Sequence, residues 1–523
     1  MFWADELARR LPPGRPHVVN DSKTPSGTIP ISSLRGPITH DAIVRALREA
    51  GIETRFTWGT DDMDPMDSQS MKTNEQLAPY MGKPLYAIPA PEAGGTDYAD
   101  LHANRFLATF PDLGIHPDEL YRMRDLYREG KMDREIDLVL RNAETAREVL
   151  ARVANVKKDT DYFPLNVICE NCGRLGTTYV TSYDGHQVTY ECRRDLVSWA
   201  TGCGHRGKTS PFGGRAKLPW NFEWAAQWDL LGVTIEGCGK DLSTAGGSRD
   251  RSAALYRAIW KKEPPLNVAY EFVTVGGKKM STSHAEEWRH LGAAAHEIVE
   301  LLTGEIVRFF MLRPRPERHI EFDPTGDRIP RLFDEYDRAA DAYADDAHSE
   351  LGRVYALSQL STEVRTGLRV RFGLLGNWIQ IPSVDVRREA EKLVGRGLTD
   401  WEKQELERRA RVARVWLERW APEEAKFSVI MDMLPAATHE LNPKQRELLR
   451  RVVSLLADSF GPEDLQAKIY EIGRDELGLT PKEAFAAVYI AFIGKPSGPK
   501  AGWLLSSLKP DFARRRLEEA ARA

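Results

Sequence analysis

The sequence lacks the apolar segments of membrane and secreted proteins. No window approaches the roughly 18 consecutive uncharged apolar residues that a membrane-spanning helix needs. The first 20 residues contain Asp5, Glu6, Arg9 and Arg10 and no apolar core, so we expect no signal peptide. Cysteine is scarce, with 5 residues in 523, which argues against a disulfide scaffold and favours a reducing compartment. We therefore expect a cytoplasmic protein that does not bind membranes.

An excess of charge of one sign is also missing. The 73 basic and 77 acidic residues leave a net charge of −4, so any contact with nucleic acid must depend on local basic patches. The length of 523 residues with 42% hydrophobic content suffices for large cores and, at ~150 residues per domain, for roughly three domains. The sequence shows no internal repeat and does not indicate an oligomeric state.

The first half of the chain alternates strand and helix patterns. A strand-like run at residues 17–19 leads through the loop "SKTPSGTIPISSLRG" to a helical pattern at 43–50, and a second strand follows at 53–58. Strand, loop, helix and strand form a βαβ unit, which predicts a parallel sheet with a right-handed crossover. A further β-like run at 270–275 ends in two glycines.

A cysteine-rich segment interrupts this alternation. The run "TTYVTSYDGHQVTYEC" predicts a β-hairpin that turns at Asp184-Gly185. Zinc takes four thiolate or imidazole ligands in a tetrahedron, and a Cys-x2-Cys turn presents two of them together. We predict a structural zinc site rather than unrelated buried cysteines. Its predicted ligands are Cys169, Cys172, Cys192 and Cys203, with His205 as the reserve ligand.

Beyond about residue 290 the patterns are almost wholly helical. A capping box at residues 399–402 opens one predicted helix, and Asn442-Pro443 opens another. Thr480 and Glu483 form a further capping box, and that helix should end near Gly494. We expect an all-α second half.

The segment "GGKKMSTSH" at residues 276–284 follows a predicted strand. Two glycines allow a sharp turn that brings the backbone close to a ligand. The ammonium groups of Lys278 and Lys279 suit phosphate, and the following serine and threonine residues add hydroxyl and amide donors. Taken alone, the segment is equally compatible with a solvated turn.

Two such loops, each after a strand, are the halves of one nucleotide crevice. "GGKKMSTS" resembles the KMSKS loop of class I aminoacyl-tRNA synthetases, and "TPSGTIPISSLRG" stands where their HIGH loop belongs. More specifically, the chain resembles class I lysyl-tRNA synthetases of the archaeal type from end to end. The matching segments are "NDSKTPSG", "SLRG", "LPWNFEWAAQWDLLGV", "GKDLSTAGGS", "YEFVTVGGKKMSTS" and "AFAAVYIAFIGKPSGPKAGWLLSSL".

The resemblance implies an ATP site, with Mg²⁺ accompanying ATP. Pro30 replaces the usual histidine of the HIGH loop, whose implied role is to donate hydrogen bonds to phosphate, and proline cannot donate them. The implied catalytic residues are Lys278, Lys279, Ser281 and Ser283. The implied ATP-binding residues are Pro25, Ser26, Gly27, Thr28, Pro30, Ser32, Ser33, Gly276, Gly277, Lys279 and Met280.

A lysine substrate carries an ammonium group that needs a carboxylate and aromatic packing. The residues expected to bind the amino acid are Asp21, Gly27, Trp220, Asp241 and Tyr270. Core packing is the alternative role for the two aromatic residues, and a loop cap is the alternative for Asp21. Family members often have histidine after the aspartate at position 241, where this chain has Leu242.

The expected architecture is an α/β Rossmann-type catalytic domain with a small zinc-held insertion, followed by an all-α domain. We predict the two halves of the catalytic domain at 1–160 and 211–300, the insertion at 161–210 and a helical anticodon-binding domain at 301–523. The expected activity is ATP-dependent joining of lysine to its tRNA. The alternatives are a paralogue that activates another amino acid or acts outside translation, and a catalytically silent tRNA-binding protein.

Overall fold

The chain folds into two compact units, which are described separately. The first comprises Met1–Phe322 and Asp341–Val364, and the second comprises Asp323–Ala340 and Arg365–Ala523. The computed structural model describes residues 1–12, 14–68, 72, 74–280, 288–382, 384–456 and 460–523. The predicted site residues Ser281 and Ser283 lie outside the described residues.

The first unit contains the strands of the described chain. They are β1 His17–Lys23, β2 Thr54–Thr60, β3 Glu119–Arg122, β4 Asn166–Val167, β5 Thr178–Tyr183, β6 Val188–Cys192, β7 Arg206–Thr209, β8 Ala216–Lys217, β9 Val273–Val275, β10 Lys278–Lys279 and β11 Ile320–Glu321.

The helices of the first unit flank and connect these strands. They are α1 Trp3–Arg10, α2 Arg35–Glu49, α3 Tyr98–Leu107, α4 Thr109–Asp112, α5 Met123–Arg128, α6 Asp133–Arg141, α7 Ala143–Ala154, α8 Trp220–Leu231, α9 Ser248–Leu255, α10 Ala295–Leu301, α11 Gly304–Leu312 and, after a helix shared with the second unit, α13 Glu350–Leu357. The shared helix is α12 Arg328–Asp345.

A parallel sheet is the centre of the first unit, as the sequence predicts. β1 pairs with β2, and β2 pairs with β3, both in parallel. Beyond β1 the sheet continues through parallel bridges from Val19 to Ile235 and from Ile235 to Leu266. The strands β2 and β3 therefore lie on one side of β1 and the segments at Ile235 and Leu266 on the other, so the order in which the chain adds strands reverses at β1. In open parallel sheets, ligands bind outside the carboxyl ends of the strands at such a switch point.

The helix after β1 begins earlier than the sequence predicts. α2 starts at Arg35, and a 3₁₀ turn over Ile31–Leu34 precedes it, whereas the helical pattern was recognised only from residue 43. Ile31, Leu34 and Ile38 are fully buried, so the apolar face of the helix extends upstream into the predicted loop. The loop itself is consequently short, and the helix start lies close to the end of β1.

The cysteine segment forms a small antiparallel sheet. β5 pairs with β6 and β6 pairs with β7, which confirms the predicted hairpin. Gly185 has a φ of +96°, a conformation that favours glycine at the turn.

The lysine-bearing loop is a second hairpin. β9 pairs with β10 in antiparallel register, and Gly276 and Gly277 connect them with φ values of +56° and +74°. Two consecutive positive φ values are typical of the tight primed turns that join antiparallel strands. The predicted sharp turn is confirmed.

In the described part of the second unit, helices are the principal regular elements. Besides part of α12 they are α14 Phe372–Trp378, α15 Val386–Val394, α16 Asp400–Arg419, α17 Pro443–Leu455, α18 Pro462–Glu471, α19 Pro481–Ile493, α20 Ala501–Ser507 and α21 Pro510–Arg522.

The predicted caps of the second unit are confirmed. Capping boxes open α16 at Thr399, α17 at Asn442 and α19 at Thr480, and Gly494 ends α19 with a φ of +72°. A buried apolar cluster joins α17 to α21. Among the described residues of the whole chain, no helix has the length and apolar character needed to cross a bilayer.

Candidate active site

A cavity of about 850 Å³ lies at the switch point of the parallel sheet. Its walls come from the end of β1, the start of α2, the segment after Ile235, and the β9–β10 hairpin. The volume falls within the range of about 300–1,000 Å³ that is common for small-molecule sites. The predicted site residues that line it are Asp21, Ser26, Pro30, Ser32, Ser33, Asp241, Tyr270, Lys279 and Met280. The two predicted loops therefore meet at one cavity.

Other predicted residues do not line this cavity. They are Pro25, Gly27, Thr28, Gly276, Gly277, Lys278 and Trp220. The first six belong to the same two loops, and the ring of Trp220 instead stacks on that of Trp224, with the ring centroids 5.2 Å apart. Ser281 and Ser283 are outside the described residues.

The first loop is held by backbone hydrogen bonds to a later part of the chain. The N–H of Ile31 donates to the carbonyl of Ala293 at 2.8 Å, and the N–H of Ala295 donates to the carbonyl of Ile29 at 2.9 Å. Pro30 lies between these two bonds and is buried. A proline fits this position because the pairing requires no hydrogen from its nitrogen.

The second loop contacts the first through a side chain and approaches the cavity with a lysine. The hydroxyl of Ser32 donates to the carbonyl of Met280 at 3.4 Å. The Lys279 ammonium lies 2.5 Å from Asp241 Oδ2 and 4.6 Å from the centre of the Phe272 ring. Both side chains of the ion pair are close to half exposed, so the pair can exchange partners at little energetic cost.

Asp21 and Tyr270 meet over a glycine of α2. A β-carbon added at Gly36 would lie 2.8 Å from Asp21 Oδ2 and 3.0 Å from the Tyr270 hydroxyl. Glycine is therefore the residue that lets the carboxylate and the phenol reach the cavity together. Burial raises the pKa of Tyr270 well above its ordinary value, so the phenol stays protonated and can donate a hydrogen bond.

His40 contacts Asp21 and helps to fix its position. Its Nδ1 lies 2.8 Å from the carbonyl oxygen of Gly36 and 3.4 Å from Asp21 Oδ2. The N–H of Gly237 donates to His40 Nε2 at 2.8 Å. Since Nε2 accepts, the ring proton is on Nδ1, where it faces the carbonyl and the carboxylate. The imidazole thus ties the end of β1 to α2 and to the segment after Ile235.

A buried charged cluster, formed by Asp61, Asp64, Lys217 and Glu223, anchors the end of β1. Lys217 Nζ lies 3.0 Å from Asp64 and 2.6 Å from Glu223. The hydroxyl of Ser22 donates to Asp61 at 2.8 Å, and that of Thr24 donates to Asp64 at 2.8 Å.

The ionisation of this cluster depends on burial and on the charges of its three acids and its lysine. Burial raises the pKa of Asp61 well above its ordinary value, and the nearby Asp64 and Glu223 raise it further. The pKa of Lys217 is raised because the attraction of Asp64 and Glu223 outweighs its burial. Lys217 therefore stays charged between its two carboxylates.

Lys23 lies between the two anchored residues and lines the cavity. It is partly buried, and burial lowers its pKa below the ordinary lysine value. Among the described residues, its ammonium group has no ion pair or hydrogen bond.

The sequence analysis did not name Lys23 or Gly36 as site residues. Lys23 follows Asp21 by two positions on one strand, and alternate strand residues share a face. That spacing was a usable signal, whereas the fit of Gly36 against Tyr270 depends on residues far apart in the chain.

The four predicted zinc ligands come together. The sulfur atoms of the four cysteines all lie within 4.8 Å of one another, and the cluster does not include His205. The Cys169–Cys203 and Cys172–Cys192 sulfur separations are 3.6 and 3.7 Å. A tetrahedral zinc with Zn–S bonds of about 2.3 Å requires sulfur atoms about 3.8 Å apart. The geometry and the donor set fit a tetrahedral metal ion.

The parallel sheet, the switch-point cavity and the two converging loops define the architecture of an α/β enzyme with a ligand site at the carboxyl ends of its strands. Residues 1–361 match the family model described as tRNA synthetases class I (K). The chain belongs to this family, the class I synthetases of the lysyl type, which confirms the resemblance drawn from its motifs.

Curated relatives match along the whole chain. A lysine–tRNA ligase of Archaeoglobus fulgidus is 33% identical over 99% of this chain and 100% of its own length. A lysine–tRNA ligase of Thermoplasma acidophilum is 32% identical over 100% of this chain and 99% of its own length. Among solved structures, a glutamate tRNA ligase from Elizabethkingia meningosepticum aligns over 97% of this chain and 99% of its own with 12% identity and a TM-score of 0.41, which is too low to support any argument.

Proposed function

We propose that the chain is a lysine–tRNA ligase that activates lysine with ATP and then transfers it to tRNA. The observation that carries the proposal is the convergence of both motif loops on one cavity. It occurs in a chain that aligns over 99% of its length with a lysine–tRNA ligase. The activity is that of a translation enzyme, for which the cytoplasm is the expected compartment.

In the first step a carboxylate oxygen of lysine attacks the α-phosphorus of ATP. The new bond gives the lysyl adenylate, and the bond to the β-phosphate breaks so that pyrophosphate leaves with Mg²⁺. Lys279 exchanges its partner Asp241 for the phosphates, where its charge offsets the negative charge of the departing group. We assign the same task to Lys278 and the donation of hydrogen bonds to Ser281 and Ser283.

The cavity-lining residues of the first loop contact the nucleotide in this proposal. Ser26, Ser32 and Ser33 offer hydroxyl donors to the phosphates. Met280 packs on the nucleotide from the second loop. The remaining predicted loop residues shape the backbone, and they are Pro25, Gly27, Thr28, Pro30, Gly276 and Gly277.

Asp21 and Tyr270 are the proposed recognition groups for the amino acid. An ammonium group between them donates a charge-assisted hydrogen bond to the carboxylate and contacts an aromatic ring. Asp241 becomes available to a second ammonium group of the substrate when Lys279 moves to phosphate. Two carboxylates that line one cavity suit lysine, which carries two ammonium groups.

In the second step a hydroxyl of the terminal ribose of tRNA attacks the lysyl carbonyl, and AMP leaves. This step needs mainly positioning of the two reactants. We assign the catalytic domain to residues 1–160 and 211–300, the metal-held insertion to 161–210 and anticodon binding to 301–523. Zinc is the proposed metal of the four cysteines, and it would hold the insertion together.

The test is ATP–pyrophosphate exchange with each standard amino acid, with and without tRNA, followed by acylation of tRNA with the amino acid that responds. Exchange and acylation with lysine are expected. Exchange with a different amino acid would identify a paralogue of changed specificity. No exchange in either condition, together with retained tRNA binding, would identify a catalytically silent tRNA-binding protein and refute the proposal.

A further inference from the structure

We propose that Lys23 binds the anionic group at the reacting centre and supplies the positive charge that position 30 of the first loop lacks. This inference rests on the proposed function, because it assigns a task within the activation of lysine. The anion is the α-phosphate of ATP or the carboxylate of the amino acid, which come together when the acyl–phosphate bond forms.

The strand geometry directs Lys23 to this task. Its neighbours Ser22 and Thr24 are fixed by hydrogen bonds of 2.8 Å to Asp61 and Asp64. Lys23 itself lines the cavity at the carboxyl end of β1, two residues after Asp21. The backbone on both sides of the lysine is thus held in place, and its side chain is the part left for a ligand.

The charges around Lys23 leave it available. Asp21 on β1, Asp61 after β2 and Asp241 after the segment at Ile235 attract its ammonium, and Lys279 on β10 repels it. Each of these acids already has a closer partner. Asp21 lies beside His40, Asp61 accepts from Ser22, and Asp241 pairs with Lys279.

The two remaining acidic residues that line the cavity do not supply a counter-charge to Lys23 either. Glu271 pairs with Lys240. Burial raises the pKa of Asp67, which favours its neutral form. Among the described residues, Lys23 is accordingly the cavity cation without a counter-charge at contact distance.

The reaction needs such a cation because its two reactants are both negative. A lysine carboxylate must approach an α-phosphate, and a positive charge between them lowers the repulsion most where the new bond forms. Pro30 has neither a ring donor nor a backbone N–H, so the first loop gives no donor at that position. Lys23 faces the same cavity and can offer three donors.

The experiment compares wild type with Lys23→Met, Lys23→Arg and the exposed control Lys262→Met, which pairs with Asp229 outside the cavity. Lysine-dependent exchange should fall about a hundredfold in kcat for Lys23→Met, the loss typical of one transition-state donor, and less than tenfold for Lys23→Arg. The control should match wild type. Unfolding curves of each variant show whether the fold is retained.

Binding measurements by calorimetry identify the anion. If Lys23 contacts the α-phosphate, Lys23→Met weakens the binding of AMP but not of adenosine. If it contacts the carboxylate, Lys23→Met weakens the binding of lysine but not of lysine methyl ester. Either loss supports the inference, and unchanged affinities together with unchanged exchange overturn it. These measurements remain decisive if wild type shows no exchange, which would count against the proposed function alone.

Two further measurements distinguish a lysine that binds the anion from a lysine that only stabilises the fold. The lowered pKa of Lys23 means that its charge is lost at a lower pH than in ordinary lysine, so exchange should decline on the alkaline side. Lys23→Arg should extend the plateau upward, since arginine keeps its charge. In the Lys23→Met background, Pro30→His should recover at least tenfold of the lost rate, and no recovery would contradict the replacement of the missing donor.

Discussion

Two neighbouring regions of the first unit each contain a lysine, and the surroundings of the two lysines shift their pKa values in opposite directions. In the buried charged cluster, Lys217 lies between Asp64 and Glu223, and its pKa is raised. In the neighbouring cavity, Lys23 has no such partners at contact distance among the described residues, and burial lowers its pKa. In the cluster, the charge of Lys217 is paired within the protein, whereas in the cavity the charge of Lys23 is available to a ligand. Paired burial indicates a structural role, and an unpaired cation in a cavity indicates a binding role.

The cysteine cluster extends this comparison and should show the largest effect. Its four sulfur atoms lie within 4.8 Å of one another, and this donor set and spacing fit one tetrahedral metal ion. Cys172→Ser should reduce bound zinc from one ion per chain to none, as measured by elemental analysis. The loss should also lower the thermal unfolding temperature of the protein, because metal binding contributes to folding.

Cys238→Ser is the matched control for the metal site. Cys238 is buried, and its sulfur lies 2.9 Å from the hydroxyl of Ser243, away from the cluster. This variant should keep its zinc. Equal zinc content in both variants would show that the four cysteines do not hold the metal.

The next largest effect is expected for Lys217→Met. Removal of one partner of a buried ion pair costs about 3–5 kcal/mol, because the remaining carboxylates stay buried without compensation. Urea unfolding monitored by circular dichroism measures this loss. Lys131→Met, which removes an exposed partner of Glu129, should leave the stability close to that of wild type, because solvent screens this pair. Equal stability of the two variants would contradict the structural role of the buried charged cluster.

In contrast to Lys217→Met, Lys279→Met should reduce the activity strongly and the stability hardly at all. Its exposed pair with Asp241 contributes at most about 1 kcal/mol to stability, so unfolding should hardly change. Exchange with lysine should fall about a hundredfold in kcat, because one charge is lost from the departing phosphates. Lys279→Arg should retain a larger part of the rate. A variant with full activity would exclude the proposed task of this lysine.

The smallest effect is expected for Ser32→Gly, which removes the side-chain contact between the two loops. One hydrogen bond of 3.4 Å contributes about 1 kcal/mol or less. The KM for ATP in the exchange reaction should rise less than about fivefold, with little change in kcat. A large decrease in kcat would mean that Ser32 acts in the chemical step, and an improved rate would mean that glycine is preferable at this position.

Sequence patterns were sufficient for features that depend on neighbouring residues. The parallel sheet, the hairpin at Gly185, the helix caps and the grouping of four cysteines all follow from local spacing. The start of α2 was missed because Gly36 and Pro37 suggest a loop. Proline is nevertheless tolerated in the first turn, where the backbone N–H groups have no helical partners.

Two site residues were not predicted correctly: Lys23 was not named, and Trp220 was named but does not line the cavity. The role of Lys23 depends on which acids are already paired, and those pairs join residues on separate strands and loops. Trp220 was expected in the amino-acid site, but its ring stacks on Trp224, four positions later on α8. Helical neighbours at this spacing lie on one face, so the contact could have been anticipated.

The backbone pairing of the first loop has a consequence for how the chain can change in evolution. The N–H of Ile31 donates to the carbonyl of Ala293, and the hydroxyl of the adjacent Ser32 donates to the carbonyl of Met280, so two distant residues are bound to one short element. Ile31 and Ser32 therefore cannot shift without moving Ala293 and Met280, so substitutions in the first loop and around these two positions must be compatible with each other.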